Sequence, residues 1–151
     1  MSTKDARNQF IGMLLAETAP EELPLLETYV AAIDTAEAGR RAGKGLGIPP
    51  EWVGAIGVAS VFVGQVVYNV LGEWVKDTAS EIAKKYVVDT GVEALKGWLK
   101  RPDKASLDKV LTTDGRLAIL KVVEEDATKA RLSRKDTEKL KKSVLKRLGV
   151  G

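Results

Sequence analysis

The chain has 151 residues, 44% hydrophobic and 30% charged, which suits one globular domain with a single core and excludes wholesale disorder. It contains neither cysteine nor histidine, which rules out disulfides, thiolate metal sites, Cys nucleophiles and any histidine-based triad or zinc centre. The net charge of +3 conceals a gradient, because residues 1–51 carry five basic and eight acidic side chains whereas residues 129–151 carry nine and two.

Helical periodicity runs through the chain. A first helix is expected from Ser2 or Thr3 to about Glu17, with Phe10, Ile11, Leu14 and Leu15 on one face. Its apolar run, FIGMLLA, is short and closed at once by Glu17, so it reads as a helix face and not as a signal peptide. An intracellular protein is expected, cytoplasmic or associated with the cytoplasmic membrane. Thr18, Pro20, Glu21 and Glu22 open a second helix, with Pro24 in its first turns or at its true start, and Leu25, Leu26, Tyr29, Val30 and Ile33 follow at helical spacing. Residues 1–38 thus form an N-terminal helical hairpin. Residues 39–50 hold four glycines and two prolines and read as a linker. GRRAGKG within it is one residue short of a phosphate loop and follows no strand.

Between Glu51 and Glu73 lie 21 uncharged residues, WVGAIGVASVFVGQVVYNVLG. As a helix they would rise about 30 Å, the thickness of a hydrocarbon core, with Trp52 and Trp74 where interfacial aromatics sit. Against a span stand the amides of Gln65 and Asn69, which need partners in lipid, and the helix-weakening Gly54, Gly57, Gly64 and Gly72. Ser60 and Gly64 form a small-xxx-small pair that lets another backbone approach. Three surroundings suit such a helix: lipid, the other helices of its own bundle, or a second copy of the chain.

An amphipathic helix is predicted to continue from Glu73 to Arg101 with Gly91 as a bend, so that residues 51–101 form one long apolar-then-amphipathic segment. Residues 102–151 form a C-terminal helical region. In it a short helix spans Ala105–Leu111, TTDG punctuates, and LAILKVVEEDATKA follows as a helix, with a strand as the alternative. The last helix opens at Ser133 with Asp136 three residues on, in the manner of a capping box, and closes at Gly149. Leu140, Val144 and Leu148 share one face, and Lys135, Lys139, Lys142 and Lys146 the opposite one. The fold class is all-α, a bundle of about six helices around the long, uncharged Gly/Val-rich helix.

Chemistry has little to stand on. Glu124, Glu125 and Asp126 are consecutive, so on a helix they point apart and read as a solvated face, not as a cation site. No catalytic residue, cofactor site, metal site or small-molecule substrate is indicated, and a non-enzymatic protein is expected. The leading expectation is membrane association or self-assembly through residues 52–71, with the basic helices facing anionic lipid. The alternative is a helical protein–protein interaction domain, an adaptor or scaffold, with 52–71 as its buried core helix. A third is nucleic-acid binding through the basic C-terminal helix.

Overall fold

A computed structural model describes residues 3–41, 55–76, 85–104 and 106–150. Among these the chain is an all-α bundle of six α-helices: α1 (Thr3–Thr18), α2 (Leu26–Arg41), α3 (Ile56–Lys76), α4 (Val92–Lys100), α5 (Thr113–Lys129) and α6 (Arg134–Arg147). A 3-10 helix, Pro20–Leu25, here called η1, joins α1 to α2. The second helix therefore begins later than its acidic opening suggests. Pro24 has no N–H to give, and its ring crowds the carbonyl four residues back, so a tight turn persists until Leu26.

The apolar spacing of α1 is used on two sides. Ala6, Phe10 and Leu14 enter one cluster with Ala59, Val63, Val67 and Leu71 of α3, and with residues of α4, α5 and α6. Ile11 and Leu15 enter a second, with Val58, Val61 and Phe62 of α3 and Tyr29 and Ile33 of α2. α3 thus lies between two apolar layers and packs against all five other helices. Through its first half the helix has no exposed residue and carries no charge; the first exposed residue is Asn69, and the charges Glu73 and Lys76 follow in that exposed half. From Gly57 to Gln65 every residue is buried. The described part of the helix begins at Ile56; Trp52 and Gly54 lie outside the described residues.

One continuous helix is predicted from Glu73 to Arg101, but the described backbone leaves the helix at Val87, and residues 77–84 lie outside the described residues. Val87 pairs with Leu111 in an isolated antiparallel bridge, Val88 N–H donates to the Val110 carbonyl at 2.9 Å and Thr112 N–H to the Tyr86 carbonyl at 3.0 Å. The backbone turns at Asp89 and Thr90 before α4 starts. The predicted helix over 105–111 is likewise absent among its described residues, Ser106–Leu111, which carry this crossing and a turn. TTDG is not an interruption but a cap. Thr112 Oγ1 accepts from Gly115 N–H at 3.0 Å and opens α5. A side chain at Gly115 would collide with the Tyr86 carbonyl, so this close crossing requires glycine.

The last two helices end alike. Gly149 N–H donates to Lys146 and Val150 N–H to Leu145, a Schellman closure with Gly149 at φ 77°. At the end of α5, Arg131 N–H donates to Thr128 and Leu132 N–H to Ala127, with Arg131 taking the left-handed position at φ 56°. Ser133 Oγ accepts from Asp136 N–H at 3.1 Å, as the cap spacing predicts.

Candidate functional site

The residues singled out on the uncharged helix separate by face. Gly57, Ser60 and Gly64 look toward η1 and α1. A methyl group on Gly57 would collide with the Glu22 carboxylate, and one on Gly64 would stand 3.0 Å from Leu14 Cδ1. Between them the Ser60 and Thr18 hydroxyls meet at 2.6 Å, both buried. Each is also within reach of the carbonyl four residues back, Ile56 for Ser60 and Leu14 for Thr18. Two hydroxyl protons thus serve three contacts, and the buried oxygens are satisfied inside the chain. The small-residue stripe is therefore filled by the chain's own first helix.

Gln65 is buried and Asn69 exposed, so the two amides do not form one interhelical pair. Gly72 has open space around it. Trp74 is buried and stacks on Tyr86 with ring centroids 4.7 Å apart. Trp98, fully buried, meets Phe10 edge-on at 5.1 Å and lies 6.1 Å from Tyr68, whose hydroxyl donates to the Leu99 carbonyl at 2.6 Å.

The four lysines of α6 are exposed but differently engaged. Lys139 Nζ donates to the Thr18 carbonyl at 3.2 Å, Lys146 pairs with Glu17 at 3.2 Å, and Arg147 reaches the same carboxylate at 2.7 Å. These cations gather at the C-terminal end of α1, where the helix dipole favours them. Lys135 and Lys142 have no carboxylate partner among the described residues. Lys141, between the lysine stripe and α5, pairs with Glu124 at 3.0 Å and Glu138 at 3.2 Å, and these two carboxylates hold its ammonium above the usual lysine range. Of the acidic run, Glu124 is thus engaged by Lys141, and Asp126 lies 4.0 Å from Lys129. No cluster of three or more metal-ligating side chains occurs among the described residues.

Two features escape sequence reasoning. One is a polar tie between α1 and α2: the nearly buried Arg7 reaches Asp34 at 3.1 Å, and Lys4 reaches the same carboxylate at 2.9 Å. Burial pushes the Asp34 carboxyl up, but the hydrogen bonds from Lys4 and Arg7 outweigh it and leave it below its ordinary range. The residues are 27 apart, beyond any local spacing rule. The other is the outer side of η1. Leu23 and Leu25 are 41% and 46% exposed, with Pro24 between them and Glu21 and Glu27 on either side, all exposed. Glu22 instead turns inward and accepts from the Tyr29 hydroxyl at 2.6 Å; burial first, and then this bond, pushes the Tyr29 phenol up to about 12. The signal for the exposed leucines was present in PEELPL, where each leucine is flanked by proline or glutamate.

Set against protein-family profiles, curated proteins and solved structures, the chain finds no match in any of the three comparisons.

Proposed function

We propose that the chain is a non-enzymatic, soluble helical domain that binds protein through its exposed helical faces, with the uncharged helix serving as its core. The observation that carries this reading is the enclosure of α3: nine consecutive residues, 57–65, are buried among the chain's own helices. The cost of burying the Ser60 hydroxyl is met internally by Thr18, so this part of the helix calls for neither lipid nor a partner. Untagged expression, detergent-free lysis and ultracentrifugation with a carbonate wash test it. A monodisperse product that unfolds cooperatively in plain buffer is expected. Retention in the washed membrane pellet would overturn the reading.

Membrane association through α3 is the second reading. It draws on one feature, a 21-residue helix whose only charges are Glu73 and Lys76 at its end. Flotation of the purified protein with anionic vesicles would favour it.

A further inference from the structure

The exposed surface near the end of α1 carries both signs of charge in adjoining blocks. On one side stands the η1 corner, where Leu23, Pro24 and Leu25 are exposed between Glu21 and Glu27. Neither glutamate has a cation within ion-pair distance among the described residues. On the other side runs the lysine face of α6. The carboxylates near that helix are taken up elsewhere: Glu17 by Lys146 and Arg147, Glu124 and Glu138 by Lys141. Among the described residues Lys135 and Lys142 have no carboxylate opposite them, and Lys139 meets a backbone carbonyl. The two blocks border one another, because Lys139 touches the Thr18 carbonyl and η1 begins two residues later, at Pro20.

A surface with an acidic half, a basic half and exposed leucines is complementary to itself. Turned about a two-fold axis, the acidic corner of one copy meets the lysine face of the other, and the reverse contact follows by symmetry. The leucines of each corner would then lie against the aliphatic stems of the other copy's lysines, with the charge pairs beside them. A purely acidic partner would neutralise the lysines but repel Glu21 and Glu27. A purely basic one would do the opposite. A second copy satisfies both halves at once.

We propose that the η1 corner and the lysine face of α6 form one self-complementary surface through which two copies of this chain pair. This rests on the reading of the chain as a soluble interaction domain. The patch is small and its charges lie at the rim, so a salt-sensitive dimer with a Kd of about 1–100 µM is expected.

Sedimentation velocity of the full chain tests the pairing, with circular dichroism and a thermal melt of each sample as the control for folding. The wild type is compared with two double variants, Glu21→Lys with Glu27→Lys, and Lys135→Glu with Lys142→Glu. All four positions are exposed, so both variants are expected to keep the wild-type helicity. The wild type should dimerise as concentration rises and dissociate between about 0.05 and about 0.5 M salt. Each double variant alone should be monomeric, and an equimolar mixture of the two should recover a dimer because the charges are complementary again. A folded wild type that stays monomeric, or a dimer that persists in either variant alone, overturns the pairing and leaves the soluble reading standing. A wild type that enters the membrane pellet overturns both.

Discussion

Gly64 sits where α3 crosses α1, and the contact there is close enough to give a quantitative test of the fold. A methyl group at this position would stand 3.0 Å from Leu14 Cδ1 and 3.2 Å from Ile11 Cγ1, inside ordinary van der Waals contact. Gly72, about two turns further along the same helix, has nothing within 4 Å of the equivalent point. Replacing glycine by alanine inside a helix gains about 1 kcal/mol by restricting the unfolded chain. Gly72→Ala realises that gain in full and should be about 1 kcal/mol more stable than wild type. Gly64→Ala has the same gain, but Leu14 and Ile11 are both fully buried and have little room to yield. Overpacking of this kind costs about 1–3 kcal/mol. The net effect is neutral to destabilising by about 2 kcal/mol, so the two variants should differ by about 1–3 kcal/mol. For a chain of this size that is roughly 2–12 °C in Tm. Urea unfolding in detergent-free buffer, followed by the fluorescence of the buried Trp74 and Trp98, measures it directly. If Gly64→Ala stabilises as much as Gly72→Ala, α1 does not lie against α3 at this distance and the argument for an enclosed core helix fails.

Further outcomes follow from single contacts. Arg131 holds a left-handed backbone at φ 56°, so Arg131→Gly should raise stability by about 1 kcal/mol in a thermal melt; an unchanged or lower Tm would count against the Schellman closure of α5. Thr18→Val and Ser60→Ala should be less costly together than the sum of the two alone, with a coupling of about 0.5–1.5 kcal/mol in a double-mutant cycle. Strict additivity would show that the hydroxyls do not meet. Asp34 has a depressed pKa in the folded state, so its contribution is present above the unfolded value of about 3.9 and is lost as pH falls through the folded value. Asp34→Asn should therefore cost about 1–2 kcal/mol at neutral pH, by leaving the nearly buried Arg7 without its carboxylate, and should flatten the acid limb of stability against pH. An acid limb identical to that of the wild type would refute that assignment.

What was legible in the sequence lies within a turn or two of chain. The spacing of Phe10, Ile11, Leu14 and Leu15 marks a buried helix face, and all four are fully buried. Ser133 and Gly149 announce the two ends of α6, because a cap and a Schellman closure are made by residues three to five apart. The apolar length of the α3 run was equally plain, but its surroundings were not. A helix without charge reads the same in lipid, in an oligomer or in its own bundle, since periodicity reports a partner only when one face differs from another. The enclosure of α3 came from contacts far apart in sequence, Thr18 with Ser60 and Leu14 with Gly64, and from a second apolar layer contributed by α4, α5 and α6. The same distance rule explains the break between Val87 and Gly91. Nothing local in YVVDTG forbids a helix; the bridge from Val87 to Leu111 interrupts it because the two strands of backbone meet there. Tertiary structure likewise drew Lys139, Lys146 and Arg147 to the end of α1 and left Lys135 and Lys142 without a carboxylate partner among the described residues. Local hydrogen-bonding rules act over a few residues and can be read one helix at a time, whereas burial and charge pairing belong to whatever the folded chain brings alongside.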